Sequence, residues 1–208
     1  MKIFLIVFSF TFHLYAQEKL SNGNGVGNGG DAVVCSEQVE LLDFVESRLM
    51  KRYTIISDSK KLAFMELAKE RVATLKGLDA RLFEQYSKVL STFTDRLVFI
   101  ENAQFRDIPD SFEIAIPAGC KLEQLAIQQE IDNKTMIHIS KKLWEKMDVV
   151  NKAGLILHEI IYEHLLTTGE VNSIKVRKLN SLIFSGDIDK MTAGDFKKVL
   201  RNLGVKIY

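Results

Sequence analysis

The most constraining feature of the sequence is one long apolar segment that predicts a buried helix. Asp148 is a suitable N-cap and Thr168-Gly169 is a stop signal, so we expect a helix from Asp148 to about Thr167. At about 100° per residue, four large apolar side chains lie within about 100° of His158. These side chains are Leu155, Leu157, Ile161 and Leu165. His158 is therefore expected to point into the protein, and the rest of the chain must fold around this helix.

The rest of the chain predicts an α+β fold. Apolar residues at helical spacing predict helices over residues 37–52, 59–76, 78–94, 140–147, 171–184 and 192–203. Shorter apolar runs predict strands over residues 32–35, 98–100, 111–117, 122–131, 136–139 and 205–208. The turn signal Asp132-Asn133-Lys134 predicts a β-hairpin. We expect a helical N-terminal half, a small antiparallel sheet or β-hairpin in the middle, the buried helix bearing His158-Glu159, and further C-terminal helices.

The N-terminus predicts export. Met1-Lys2 precedes the apolar run Ile3–Leu14, and Ala16 offers a small residue at a cleavage site, which is the pattern of a secretory signal peptide over residues 1–16. Residues 17–31 are rich in Gly and Asn and are expected to form a flexible arm. A single α+β domain is then expected over residues 32–208, in a periplasmic or extracellular protein.

Charge limits the classes of partner. The 28 basic and 27 acidic side chains of the whole chain become 27 of each once residues 1–16 are removed. Nucleic-acid-binding domains usually carry a strongly basic face, and membrane-surface binding needs a polybasic cluster or a lipid signal. No later segment has the roughly 20 apolar residues of a membrane span. The sequence therefore favours an unknown protein or peptide partner, or a small substrate, over nucleic acid or membrane.

The two cysteines of the chain are expected to bridge. Cys35 and Cys120 form an even pair, and such pairs are usually oxidised in exported proteins. A bridge between them would constrain a long loop of the unfolded chain. The alternative is two buried free thiols.

The histidines suggest a metal site. All three that remain after residues 1–16 are removed fall within 27 residues, at His138, His158 and His164. The strand Met136–Ile139, followed by a helix bearing His158-Glu159, resembles the active-site region of the HExxH zinc peptidases, the zincins. This resemblance implies that His158 is a zinc ligand and that Glu159 is the base acting on a zinc-bound water.

The second ligand position of that motif differs, because it is occupied by Tyr162. A phenol, with a pKa near 10, is a poor zinc ligand. His164 lies about 240° around the helix from His158, so joint binding of one ion would require the helix to unwind. Glu170 is a candidate third ligand, and His138 could approach from its strand. We therefore expect a zincin-like domain that binds a partner without a cofactor, with a zinc-dependent hydrolase, most plausibly a peptidase, as the alternative.

A second resemblance concerns the start of the folded domain. Gly27–Asp31, Val33–Cys35 and Val39–Asp43 are similar to segments of a group of uncharacterised exported bacterial proteins. The resemblance implies export and one shared domain, without naming a reaction.

A further interpretation of the buried helix involves no chemistry. Asn151, His158 and Tyr162 form a polar line on its apolar face, and buried polar groups must be paired. His158 would then bond Tyr162, Asn151 or a backbone carbonyl, while Glu159 and Glu163 contact Lys or Arg at the helix edge. The protein would be a disulfide-linked envelope protein in which His158 only packs.

Overall fold

The computed structural model describes residues 26–28, 30–56, 62–101, 105, 116–132 and 134–205. Within these ranges the chain has an α+β fold, which confirms the predicted class. The predicted signal peptide lies outside the described residues, as do residues 111–115 and 206–208 of two predicted strands.

The described strands form two small sheets. The strands are β1 (Val26–Asn28), β2 (Asp31–Cys35), β3 (Gln38–Leu41), β4 (Leu97–Ile100), β5 (Cys120–Gln124), β6 (Ala126–Ile131) and β7 (Lys134–Ser140). One sheet has the order β1-β6-β7-β4 and the other has the order β3-β2-β5. Strands β6 and β7 are the predicted β-hairpin, and β4 runs parallel to β7 at the end of its sheet. Both edges of β7 are therefore paired, so the strand that contains Met136–Ile139 is an interior strand.

Seven α-helices lie within the described residues, and one of them is central. They are α1 (Leu42–Leu49), α2 (Phe64–Ala73), α3 (Ala80–Ser91), α4 (Lys141–Lys146), α5 (Val149–Thr167), α6 (Ile174–Ile183) and α7 (Ala193–Leu203). Helix α5 packs against α2 and α6 and is buried over most of its length. Its side-chain cap is the predicted one, because Asp148 Oδ1 accepts a hydrogen bond from the Asn151 backbone N–H at 2.7 Å. A helix that is apolar on nearly all sides belongs in the core, and α5 organises the domain.

The first predicted helix is wrong over its first residues, because Gln38–Leu41 forms β3 instead. A turn at Ser36, whose φ is +55°, brings these residues back alongside β2. Val39 and Leu41 are buried while Gln38 is exposed, so burial alternates with a period of two. Helix α1 begins only at Leu42, after this pairing ends.

The described residues include 26–28 and 30–31, which precede the predicted start of the folded domain at residue 32. Strand β1 lies inside the stretch expected to be a flexible arm and pairs with β6. The Gly30 carbonyl accepts hydrogen bonds from the N–H groups of Leu125 and Ala126, both at 3.0 Å. A Cβ at Gly30 would lie 2.5 Å from Leu155 Cδ1 of α5. Glycine is thus required here for the close approach of the backbone to the central helix.

The disulfide is the predicted one. Cys35 and Cys120 are opposite each other on β2 and β5, with a Cα–Cα distance of 4.3 Å. The bridge joins strands separated by 85 residues in sequence. Within the described part of the chain, none of the helices combines the length and the apolar character needed to cross a bilayer.

Candidate functional site

His158, on α5, faces a carboxylate of α1. Its Nδ1 lies 2.9 Å from Asp43 Oδ2 and 3.1 Å from Oδ1, and both side chains are buried. Asn180 of α6 donates from Nδ2 to Asp43 Oδ2 at 2.6 Å and to the Gly154 carbonyl at 3.0 Å. Three helices are therefore joined by one buried polar cluster, which we call the Asp43–His158 centre.

Both ionisable groups of this centre favour their charged forms. Burial disfavours the imidazolium of His158, but the charge and the hydrogen bond of Asp43 outweigh it, so the pKa of His158 is raised. Burial likewise opposes ionisation of Asp43, yet His158 and the hydrogen bond from Asn180 bring its pKa below the ordinary value. The centre is thus a buried ion pair with a hydrogen-bonded carboxylate.

Glu159 is fully buried and engaged on a different side of α5. Its Oε1 accepts from the Gly30 N–H at 2.7 Å, and its Oε2 accepts from Gln128 Nε2 at 2.8 Å. Gln128 also donates to the Glu159 carbonyl at 2.9 Å. Burial raises the pKa of Glu159, against the opposing effects of His158, Gln128 and the Gly30 N–H. The contact with Lys or Arg expected for this side chain does not form among the described residues, whereas Glu163 does pair with Arg96 at 2.6 Å.

A second buried ion pair lies close to the Asp43–His158 centre. Arg177 Nε donates to Glu46 Oε2 at 2.8 Å, and both side chains are almost completely buried. The Arg177 guanidinium also bonds Ser173. This pair attaches α6 to α1, one turn along from Asp43. Removal of one partner of such a pair leaves an uncompensated buried charge. The pair of Glu46 and Arg177 therefore holds α1 and α6 together.

The other members of the predicted polar line bind elsewhere. Asn151 Oδ1 accepts from the Leu41 N–H at 2.8 Å, and Asn151 Nδ2 donates to Asp148 at 2.9 Å. Tyr162 is buried with its ring centroid 6.3 Å from that of His158. The three side chains of the predicted polar line are all buried on α5. The hydrogen-bond partner of His158, however, lies on α1 rather than on α5.

The candidate metal ligands are dispersed. His164 Nδ1 is 3.0 Å from the Tyr86 hydroxyl, on the side of α5 that faces α3. His138 is buried on β7 between β6 and β4, and Glu170 forms an ion pair with Lys175 at 2.5 Å. Among the residues that the structure describes, no group of three His, Cys, Asp or Glu side chains is placed to hold a metal ion.

Two of the clefts on the described surface are large, and neither of these is lined by His158 or Glu159. The first, of about 540 Å³, lies between the end of α1 and the start of α5. Its charged lining is mixed: Glu40, Arg48, Lys51, Arg52, Asp148 and Asp187. The second, of about 520 Å³, lies beside β4. Its lining consists of Phe99, Glu101, Lys141, Trp144, Glu145 and Lys152. Ligand binding in either of these clefts would thus not require the core to open.

Asp43, Asn180 and Gln128 were not identified from the sequence as partners of the His158-Glu159 pair. Asp43 lies 115 residues from His158, and helical periodicity within α5 says nothing about such a distant residue. The signal that was available is a lone acidic residue inside the apolar run Leu41-Leu42-Asp43-Phe44-Val45. An acid at such a position is expected to be paired when it is buried.

No family model, curated protein or solved structure matches this chain.

Proposed function

We propose that this is an exported protein whose zincin-like domain binds a protein or peptide partner and does not cleave it. The Cys35–Cys120 bridge is compatible with an oxidising compartment, and the pattern of residues 1–16 supports export to the periplasm or the cell exterior. The observation that carries the non-catalytic part is the complete enclosure of Glu159, whose two carboxylate oxygens each accept a hydrogen bond from a protein N–H group.

A general base must reach the proton that it abstracts, directly or through one water. Glu159 is 0% exposed and both its oxygens are engaged, so a catalytic role would require Gly30 and Gln128 to be displaced. His158 contacts Asp43 through Nδ1, an arrangement that metal-binding histidines share, so the enclosure of Glu159 rather than the Asp43 contact separates the two functions. The alternative function is a zinc-dependent peptidase with His158 and His164 as ligands and Glu159 as base. It predicts bound zinc, and peptide cleavage that depends on Glu159.

Metal content and peptide cleavage test the proposal on the purified mature protein. We expect less than a tenth of a zinc ion per chain by mass spectrometry, and no cleavage of a mixed peptide library. Glu159→Gln should leave both results unchanged. One zinc per chain that is lost in His158→Ala, or cleavage that is lost in Glu159→Gln, would overturn the proposal. Glu159→Gln conserves the shape of the side chain, so this arm remains informative where His158→Ala does not fold.

Cell fractionation and N-terminal sequencing test export. The mature protein is expected outside the cytoplasm with Gln17 as its first residue. Recovery from the cytoplasm with residues 1–16 intact would contradict this part of the proposal.

A further inference from the structure

Strand β4 is the edge strand of its sheet within the described part of the chain. It lies at the end of its sheet, paired with β7 on one side, and nothing among the described residues pairs with its other side. Edge strands are usually protected by Lys, Pro or a bulge, because their free N–H and C=O groups attract other strands. The sequence of β4, Leu97-Val-Phe-Ile100, contains neither Lys nor Pro, and Phe99 is 42% exposed.

Phe99 of β4 belongs to an aromatic cluster. The Trp144 ring centroid is 5.1 Å from that of Phe64 and 5.5 Å from that of Phe99. Trp144 itself is buried, so Phe99 is the exposed member of the cluster on β4. Phe99 and Trp144 both line the cleft of about 520 Å³, so this cleft adjoins β4. A cleft of this kind accepts an apolar side chain, whereas the strand edge offers hydrogen bonds to a backbone.

The two lysines of this cleft differ in whether a carboxylate compensates their charge. Lys141 bonds Glu101 and lies 4.0 Å from Glu145, so its charge is compensated. Lys152 Nζ lies 5.5 Å from the centroid of the Trp144 ring, and no carboxylate of the described residues is within 4.0 Å of it. An acidic group on a ligand would therefore find a cation beside the aromatic cluster.

We propose that β4 and this aromatic cleft bind an extended, acidic segment of a partner protein. The segment adds a strand to the free edge of β4, places an apolar side chain against Phe99 and Trp144, and brings a carboxylate to Lys152. Backbone hydrogen bonds supply affinity in this mode of recognition, and the side-chain cleft supplies selectivity. The inference rests on the proposed binding function and assigns a surface and a ligand chemistry to it.

Trp144 is the only tryptophan of the chain, so its fluorescence reports on this cleft directly. The probe is a pool of capped hexapeptides in which Val, Ile, Leu or Phe alternates with Glu, titrated into the full mature protein. We expect a saturable change in Trp emission. The apparent affinity should fall at least tenfold in Phe99→Ser, in Lys152→Gln, and for a second pool in which Lys replaces Glu.

Ile131→Ser is the matched control, because Ile131 is also 42% exposed and belongs to a strand of the same sheet. It should bind the acidic pool like the unaltered protein, and circular dichroism should show that Phe99→Ser is folded. Absence of a saturable change, or equal weakening by Ile131→Ser, would overturn the inference. So would a shift of Trp emission with protein concentration alone, accompanied by a dimer in sedimentation, because a second copy would then occupy the edge.

Mass spectrometry of the peptides after the titration separates this inference from the proposed function. Intact peptides without a fluorescence change reject this surface but leave the non-catalytic proposal in place. Cleaved peptides reject the non-catalytic proposal, whatever the fluorescence shows.

Discussion

Removal of Asp43 is expected to be strongly destabilising. In Asp43→Ala, His158 keeps its buried position but loses the carboxylate 2.9 Å from its Nδ1, and Asn180 loses an acceptor at 2.6 Å. Loss of one partner of a buried ion pair costs about 3–5 kcal/mol. A domain of 150–250 residues loses about 2–4 °C of melting temperature per kcal/mol, so we expect a decrease of roughly 6–20 °C. Urea unfolding followed by circular dichroism measures the free energy of unfolding.

The double variant Asp43→Ala/His158→Ala separates pairing from packing. Because the second substitution removes the ring that the first one leaves unpaired, the two losses should not add. We expect the double variant to be more stable than additivity predicts by about 1–3 kcal/mol. Additive losses would mean that the contact between Asp43 and His158 stabilises nothing, and would refute the ion-pair interpretation of the centre.

The pH dependence of stability gives the sharper test. The pKa of His158 is raised from 6.5, so its contribution is complete below about pH 6.5 and is lost as the pH rises through the folded-state pKa. The pKa of Asp43 is lowered from 3.8, so its contribution is present above about pH 3.8 and is lost as the pH falls through the folded-state pKa. The pair therefore stabilises most between about pH 4 and pH 6.5.

Asp43→Asn should reverse the direction in which the contribution of His158 to stability changes with pH. Without the carboxylate, burial is the dominant effect and lowers the pKa of His158, so stability should rise with pH where the paired protein loses it. We would measure urea unfolding at pH 5.5 and pH 8.5 for both proteins. Their difference cancels groups common to both, including His138, whose pKa is lowered by burial. Equal pH dependence in the two proteins would contradict the reasoning.

Three further variants test the stability of the fold. Gly154→Ala should cost about 1–3 kcal/mol in urea unfolding, because an added Cβ would lie 2.6 Å from Phe44 Cε2. Cys35→Ser/Cys120→Ser should lower the free energy of unfolding by about 2–5 kcal/mol, and reduced wild-type protein should match it. Glu159→Gln should cost about 1–3 kcal/mol in thermal unfolding, because its new N–H₂ group meets a side-chain amide donor instead of an acceptor.

Each of these has a control or a contrary result. Gly77→Ala is matched to Gly154→Ala, because nothing lies within 4 Å of its added Cβ, and it should leave stability nearly unchanged. Equal effects of the two glycine substitutions would argue against tight packing of α5 on α1. A reduced protein as stable as the oxidised one would show that the disulfide does not constrain the unfolded chain. An unaltered melting temperature in Glu159→Gln would show that the carboxylate is not needed for packing.

Local patterns in the sequence predicted the central helix well. The cap at Asp148, the end of the helix at Thr167 and the inward direction of His158 all follow from residues close together in the chain. The hairpin of β6 and β7 was predicted for the same reason, from a turn signal between two apolar runs. The disulfide followed from the even cysteine count and from the predicted signal peptide.

Long-range contacts were not predictable in this way. The apolar residues of 37–52 fit a helical period, but pairing with β2 makes Gln38–Leu41 a strand. That pairing depends on the turn at Ser36 and on the neighbouring chain, neither of which is visible in the periodicity. The partner of His158 could not be predicted for the same reason, because the acceptor lies on α1, 115 residues away in sequence.

The geometry of α5 gives a physical reason for the His-Glu dipeptide that requires no catalysis. Consecutive helical residues point about 100° apart, so His158 faces Asp43 of α1 while Glu159 faces Gly30 and Gln128 near the sheets. Each side chain thus joins the central helix to a different layer through a buried hydrogen bond. Because an unpaired polar group in the core costs about 1–3 kcal/mol, substitution of either residue alone is disfavoured by packing. A motif that resembles a catalytic pair can therefore be explained by stability alone.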